Sequence, residues 1–412
     1  MYNLGIHLFS FGVAIASHFS EKIKKMWQGE HEAFDILKSK VDPSAQYIWV
    51  HAASLGEFEQ GRPLIEHIKK EHPEQKVLLT FFSPSGYEVR KNYQEADIIC
   101  YLPIDTASNA QRFLSLIRVK MAFFIKYEFW YNYMHILKQQ GVPVYSISCI
   151  FRENQIFFRW YGKPYSKVLN CITHFYAQNE ESRQLLAGLG LTNVTVTGDT
   201  RFDRVLQIRD AAKHLAIVEK FIAGNPSKVF VAGSSWQPDE EIFIKYFNEH
   251  RDWKLIIAPH VISEEHLKQI EKQLEGRKVV RYTEAENASG LDKCDALIIN
   301  CFGLLSSIYH YAQVTYVGGG FGVGIHNVLE AAVWNVPVII GPNNKKFQEA
   351  QELMAAGGCF EITSYADFEQ IMNRFETDAL YLSDAGRKAG EYVKNRAGAT
   401  NDVFTQIESN TD

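Results

Sequence analysis

Two acidic residues and one glycine-rich turn carry the chemistry that can be read from this chain. Residues 317–330 run Val317-Gly318-Gly319-Gly320-Phe321-Gly322-Val323-Gly324-Ile325-His326-Asn327-Val328-Leu329-Glu330. The apolar run 313–317 reads as a buried parallel strand, and Asn327 onward reads as a helix with Val328, Leu329, Ala332 and Val333 on its apolar face. Glycines let the backbone approach a ligand, and the unpaired N–H groups of a helix start receive an anion. A diphosphate or phosphodiester suits such a turn, so a nucleotide-linked substrate is expected; a tight strand-to-helix turn without a ligand is the competing reading. Glu57, in His51-Ala52-Ala53-Ser54-Leu55-Gly56-Glu57, falls just past the first strand, at the end where an open parallel sheet places its chemistry. It is the candidate general base. The spacing Ser54-x-x-Glu57 is equally a capping box, with Ser54 as N-cap. Glu128, in Lys126-Tyr127-Glu128-Phe129-Trp130-Tyr131-Asn132, stands in the same relation to the strand 121–125. A helix-start charge that complements the dipole is its plainer role.

These residues need sheets to hold them. Strand-like runs at 47–53, 76–82, 97–101, 121–125, 142–148, 174–177 and 193–196 alternate with helical patterns such as 62–70, where Leu64, Ile65 and Ile68 share a face. A second series follows at 228–233, 253–258, 278–281, 296–300, 314–317 and 336–340. Strands separated by helices of that length imply parallel sheets with crossover helices. The fold class is therefore α/β, with two doubly wound, Rossmann-like domains facing across a cleft. The expected organisation is an apolar segment and basic flank at 1–30, a first domain at 31–210 and a second at 211–385. A final helix at 386–412 is expected to cross back to the first domain, and the linker falls within 200–226.

At 412 residues the chain exceeds one ordinary core, which supports two domains. A formal net charge of −5 argues against nucleic acid as a partner, since a phosphate backbone demands basic surface. The cysteines at 100, 149, 171, 294, 301 and 359 show no CxxC pair and no metal-ligand spacing, so reduced, buried thiols are expected. Residues 4–17 are apolar over about 14 positions, short of the roughly 20 that cross a bilayer. No Lys or Arg precedes them, unlike a secretory signal; Lys22, Lys24, Lys25 and Trp27 follow. An apolar helix with a basic, aromatic flank is the pattern of a segment resting in the cytoplasmic leaflet. A helix packed on the protein's own surface is the alternative.

Several motifs together resemble the 3-deoxy-D-manno-octulosonic acid (Kdo) transferases of lipopolysaccharide biosynthesis. The segment from His51 to Glu57 is similar to that family's HAxSxGE, in which the glutamate is the catalytic base. Tyr101-Leu102-Pro103-Ile104-Asp105 matches YLPxD, and Glu128-Phe129-Trp130-Tyr131-Asn132 resembles ExWPN with Tyr131 in place of proline. Gly198-Asp199-Thr200-Arg201-Phe202-Asp203 resembles GNxKFD. The second half supplies Ser234-Ser235, Gly318-Gly319-Gly320, Gly324-Ile325-His326-Asn327-Val328-Leu329-Glu330 (family GGHNPLE) and Gly341-Pro342. The apolar N-terminal anchor is a family trait as well.

The resemblance implies the GT-B glycosyltransferase architecture and transfer of Kdo from CMP-Kdo to the lipid A precursor, a tetraacylated disaccharide bisphosphate. The place of action would be the cytoplasmic face of the bacterial inner membrane. It implies inversion at the anomeric centre, hence one base and one stabilised leaving group. Glu57 would be that base, with Glu128 beside it as a second catalytic carboxylate. The CMP phosphate would meet Gly319, Gly320, Gly324, His326, Asn327 and the hydroxyls of Ser234 and Ser235, while Glu330 would accept from the ribose. No cofactor and no metal are expected. The donor side departs from the family: Ala258-Pro259-His260 lacks the usual arginine, and Asn300-Cys301-Phe302-Gly303-Leu304 lacks the usual glutamate. Pro259, His260, Phe302 and Gly303 therefore stand at the donor side with different chemistry, and Lys345 or Lys346 is a replacement charge. Arg62, Lys126 and Arg152, with the aromatic stretch 151–165, are candidates for the acceptor side. Two other readings stay open: a transferase of the same architecture using a UDP- or GDP-hexose, and an inactive membrane-associated binding protein.

Overall fold

The computed structural model describes residues 2–409; residue 1 of the N-terminal segment and residues 410–412 of the C-terminal one lie outside that range. The first sheet holds β1 (Tyr47–His51), β2 (Lys76–Phe81), β3 (Ile98–Tyr101), β4 (Val119–Ile125), β5 (Val144–Cys149), β6 (His174–Ala177) and β7 (Val194–Val196). The second holds β8 (Val229–Ser235), β9 (Lys254–Pro259), β10 (Val279–Arg281), β11 (Ala296–Ile298), β12 (Val314–Val317), β13 (Val338–Ile340) and β14 (Cys359–Glu361). The strand orders are β3-β2-β1-β4-β5-β6-β7 and β10-β11-β9-β8-β12-β13-β14, and the pairings are parallel.

The strands read as continuous apolar runs because both faces of each sheet are covered. Along β1, Tyr47 and Trp49 pack with Leu78 and Phe124, while Ile48 and Val50 pack on the other face with Leu79 and Phe123. In the second sheet Phe230 lies against Phe243, Phe247 and Phe368. Each such buried side chain contributes about 1.5–3 kcal/mol by removal from water.

In the first sheet the strand order reverses between β1 and β4; in the second it reverses between β8 and β12. A crevice opens at the carboxyl ends of the strands flanking such a reversal, because their connections leave to opposite sides. His51 at the end of β1 pairs with Phe124 of β4, and Gly233 of β8 pairs with Val317 of β12. Glu57, Glu128, the Ser234-Ser235 pair and the glycine turn lie at or just after the ends of those four strands, whereas Pro259 and His260 lie at the end of β9 and Phe302 and Gly303 beyond β11.

The chain divides into two compact units, one ending at Arg204 and the next beginning at Val205, and it rejoins the first unit at Ala397. The segment expected as one helix over 386–412 is two helices. The helix Ala379–Lys394 belongs to the second unit, and Ala399–Ser409 belongs to the first, after a turn at Gly398 with φ +117°. Asp203 makes that return: its carboxylate accepts from Gly398 N at 2.5 Å and from Thr400 N and Oγ1 at 2.7 Å. Val403 and Ile407 then bury themselves beside Leu64 and Ile68.

The N-terminal helix Tyr2–Ala16 docks on the first unit by polar contacts. Tyr2 donates its hydroxyl to Asp105 Oδ2 at 2.7 Å, and Asn132 Nδ2 donates to Asn3 Oδ1 at 2.9 Å. Leu4, Leu8, Phe11 and Ile15 stay exposed, and their spacing of four, three and four places them on one face. Among the described residues no helix is long and apolar enough to cross a membrane. All six cysteines are free; Cys100, Cys149, Cys171 and Cys359 are buried, whereas Cys294 and Cys301 are half-buried.

Candidate functional site

In the first unit, Glu57 lies in the first turn of the helix Leu55–Glu71, directly after β1. It accepts a hydrogen bond from Ser54 N at 3.0 Å, completing the capping box anticipated from the spacing. Capping does not exhaust its chemistry. Glu57 is 7% exposed, and burial together with the nearby charge of Glu128 pushes its carboxyl from the ordinary 4.5 up to about 7, while Lys126 and Ser54 pull the other way. A carboxylate poised near neutrality is suited to taking a proton at physiological pH.

Glu128 reaches Glu57 because β4 ends in a sharp turn. Lys126 has φ +63°, a left-handed conformation that a side chain adopts at a cost of about 1–3 kcal/mol. Its amide donates to Ile147 O at 2.8 Å and its carbonyl accepts from Ser146 Oγ at 3.1 Å, so both neighbours on β5 fix the bend. Beyond it, Asp105 holds the segment. Its carboxylate, pushed up to about 6 by burial, accepts from the amides of Asn132 and Tyr133 and from Tyr2. Thus the YLPID segment acts on Glu128 by anchoring the turn that carries it. Trp130 Nε1 donates to Glu128 Oε2 at 2.9 Å, and His51 Nε2 stands 3.7 Å from the same oxygen. A cavity of about 250 Å³ opens beside this pair, lined by Tyr2, Phe9, Phe82, Tyr127, Glu128 and Trp130.

Of the residues read as acceptor-side charges, Arg62 is tied to Glu66 at 2.6 Å. In the aromatic stretch 151–165, Phe151 and Phe157 are buried and Trp160 and Tyr161 are exposed. The GDTRFD segment is structural within this unit: Asp199 binds Arg201 and accepts from Gln60 Nε2 at 2.8 Å, while Asp203 makes the C-terminal return.

In the second unit the glycine turn differs from the expectation in two respects. The helix expected from Asn327 begins at Leu329 and is a single turn, Leu329–Ala332. Its would-be free amides are partly engaged: Leu329 N donates to Asn327 Oδ1, His326 N to Gly318 O and Gly324 N to Gly319 O. The glycines are demanded by the protein's own packing before any ligand. A Cβ on Gly318 would stand 2.4 Å from Ser234 O, and one on Gly320 would stand 2.6 Å from Gly341 Cα and N. Asp239, buried at the start of the helix Gln237–Glu249, accepts from Gly319 N and from Tyr316 Oη at 2.8 Å and from Trp236 N at 2.9 Å. The glycine turn is thus braced by a carboxylate that reads in the sequence as an ordinary helix-start acid.

Ser235 is fully buried and donates to Glu240 Oε1 at 2.8 Å; the other oxygen of Glu240 faces His266 Nε2 at 2.8 Å. Of the two serines, Ser234 is the one left partly exposed, held at φ +53°. His326 stacks on His260 at 4.4 Å, and His260 stacks on Trp236 at 4.8 Å. Trp236, which the sequence did not single out, also donates Nε1–H to His326 Nε2 at 3.4 Å. That leaves the His326 proton on Nδ1. Burial and the neighbouring His260 push the ring down to about 4, so His326 offers a neutral N–H at physiological pH. Glu330 accepts from Ser306 Oγ at 2.7 Å and from Asn327 Nδ2 at 3.2 Å. Pro259 is buried at the end of β9. Phe302, 81% exposed, and Gly303 lie beyond β11, which β9 separates from β8. Lys345 and Lys346 lie in the segment between β13 and the helix Gln348–Ala356. Among the described residues no three His, Cys, Asp or Glu side chains converge as a metal site would.

The chain matches the family model described as 3-Deoxy-D-manno-octulosonic-acid transferase (kdotransferase) over residues 24–204. A 3-deoxy-D-manno-octulosonic acid transferase of Aquifex aeolicus (strain VF5) is 30% identical over 324 residues, covering 76% of this chain and 82% of the relative. One from Haemophilus influenzae is 24% identical over 337 residues, covering 79% and 78%. Among solved structures, a UDP-GlcNAc 2-epimerase from Neisseria meningitidis bound to UDP-GlcNAc superposes with a TM-score of 0.63 at 14% identity, over 88% of this chain and 100% of that one. A putative UDP-N-acetylglucosamine 2-epimerase from Listeria monocytogenes gives 0.63 at 11% identity, over 89% and 97%. At such identities the likeness concerns the fold, which is of the GT-B type.

Proposed function

Because this chain belongs to the 3-deoxy-D-manno-octulosonic acid transferase family, we propose that it moves Kdo from CMP-Kdo to the lipid A precursor, with inversion and without a metal. The observation that carries the mechanism is Glu57, buried at the reversal point of the first sheet with its carboxyl raised to about 7. As a carboxylate it takes the proton from the acceptor's sugar hydroxyl while that oxygen attacks the anomeric carbon. The bond from that carbon to the CMP phosphate oxygen breaks in the same displacement, and CMP leaves with the electron pair. Burial first, and then the charge of Glu128, keep the proton affinity of Glu57 high.

The second unit takes the donor. Ser234, Asn327 and the neutral Nδ1–H of His326 supply hydrogen bonds to the departing phosphate, with the backbone of Gly319, Gly320 and Gly324 around it. Fixed donors of this kind need no reorganisation as charge develops. Glu330, already accepting from Ser306 and Asn327, is assigned to the ribose hydroxyls. Pro259, His260, Phe302 and Gly303 line the cytidine side, where Trp236 and His260 offer ring faces in place of the family's arginine.

The exposed face of Leu4, Leu8, Phe11 and Ile15, followed by Lys22, Lys24 and Lys25, supports binding to an anionic membrane surface at the cytoplasmic side of the inner membrane. An acyl-chain acceptor resides there, and the aromatic cavity beside Glu128 faces that helix through Tyr2, Ile6 and Phe9.

Mass analysis of the product formed from CMP-Kdo and tetraacylated disaccharide bisphosphate tests the proposal. The acceptor is expected to gain the mass of Kdo. Transfer from a UDP- or GDP-hexose, with CMP-Kdo inert, would replace this reading with the nearest alternative.

A further inference from the structure

One buried group beside the carboxylate pair has no role in the mechanism so far. His51 is 0% exposed, and its Nε2 has no hydrogen-bond partner among the described residues. Leaving a buried donor or acceptor unmatched costs about 1–3 kcal/mol, so its surroundings call for an explanation.

The tautomer follows from Thr80. Trp49 Nε1–H donates to Thr80 Oγ1 at 2.8 Å, which occupies one lone pair of that hydroxyl. The hydroxyl proton of Thr80, itself fully buried, has His51 Nδ1 within reach at 2.9 Å. Nδ1 therefore accepts, and the imidazole proton sits on Nε2. That nitrogen stands 3.7 Å from Glu128 Oε2 and has no hydrogen-bond partner among the described residues. Aromatic rings confine the imidazole: Phe124 at 5.5 Å and Trp130 at 5.3 Å. Trp130 is also the residue whose Nε1–H binds the same carboxylate oxygen.

We propose that His51 is a positioning residue for the transfer reaction, its Nε2–H holding the Glu128 carboxylate in place beside Glu57. The chain of contacts runs from Trp49 through Thr80 and His51 to Glu128, all on the β1–β2–β4 side of the first sheet. His51 touches neither donor nor acceptor; it acts through Glu128. The inference rests on Glu57 being the base. The charged and titratable groups around the pair are Lys126, which opposes Glu128 at Glu57, and Tyr127 and Tyr165, whose hydroxyls feel Glu128.

Two substitutions separate the ring nitrogens. The amide of an asparagine at 51 overlies Nδ1 and keeps the Thr80 contact but supplies nothing at Nε2; the amide of a glutamine reaches the Nε2 position. His51→Asn is expected to lower kcat by tenfold or more with KM for CMP-Kdo unchanged. Its acid limb in kcat/KM is expected to move toward lower pH by about half a pH unit or more, because Glu57 loses part of its neighbour's field. His51→Gln is expected to stay within about threefold of the parent protein, with the limb in place. Equal rates and an unmoved limb in folded His51→Asn would overturn the proposal, as would equal losses in both variants at unchanged limb position. Glu57→Gln distinguishes the two levels: if that variant stays active, the base assignment fails; if it is inactive while His51→Asn is normal, the positioning role alone fails. Should the His51 variants not fold, NMR of the 15N-histidine-labelled parent decides. A slowly exchanging imidazole Nε2–H that shifts on Glu128→Gln is expected, and its absence refutes the assignment.

Discussion

The raised carboxyl of Glu57 lowers the stability of the folded protein as pH rises, and replacing it with glutamine exposes that effect. At low pH the group is protonated in both folded and unfolded chains. As pH rises past its ordinary 4.5 the unfolded chain releases the proton, while the folded protein holds it until about 7. Over that window the folded state loses stability; below 4.5 the term is absent and above about 7 it is constant. A displacement of that size corresponds to about 3 kcal/mol as an upper figure, since each tenfold in proton affinity is about 1.4 kcal/mol. Glutamine mimics the protonated acid, still accepts from Ser54 N, and never ionises. Glu57→Gln should therefore stabilise the helix Leu55–Glu71 by about 1–3 kcal/mol at pH 8 and by nearly nothing at pH 4. Hydrogen exchange of that helix, resolved from the second unit, measures it: amide protection should rise by about 10- to 100-fold at pH 8. A gain that does not depend on pH, or a loss at pH 8, would refute the reasoning.

Other expectations follow from the same contacts. The acid limb of kcat/KM should fall near pH 7, rate dropping tenfold for each pH unit below it, because the proposed base Glu57 would have to be unprotonated to act; a limb near 4.5 would contradict its raised affinity. Asp105→Ala removes the acceptor for Asn132 N, Tyr133 N and the Tyr2 hydroxyl, so a loss of about 2–4 kcal/mol in thermal or denaturant unfolding should accompany reduced turnover. Gly320→Ala forces a methyl against the backbone of Gly341 and should destabilise the second unit by about 1–3 kcal/mol, whereas Gly322→Ala, whose methyl meets open space, should not; differential scanning calorimetry compares them.

Much of the architecture is legible in local pattern. The runs 174–177 and 314–317 coincide with β6 and β12, because a strand covered on both faces leaves an uninterrupted apolar signature. β14 is not legible: Cys359–Glu361 is three residues after Gly357-Gly358, too short to show a period. The helix after the glycine turn is over-read, since the apolar spacing continues through Val333 while Asn335, at φ +58°, ends the helical path. What makes the two candidate sites distinctive is nonlocal. Glu57 looks like a cap because it is one, and its raised proton affinity comes first from burial in the folded unit and then from Glu128, which follows a strand far along the chain. Asp239 looks like a helix-start acid, yet it braces Gly319 from 80 residues away. Trp236 carries no motif signal, and only the folded second unit reveals its stack on His260.

The claim on which the mechanism turns is that Glu57 accepts the acceptor's proton. Single-turnover transfer from CMP-Kdo by Glu57→Gln, at saturating donor and acceptor and pH 8, tests it most directly. A fall of about 10²- to 10⁴-fold, with donor binding and fold retained, is the predicted result. A rate within a few-fold of the parent protein would leave Glu57 as a helix cap and nothing more.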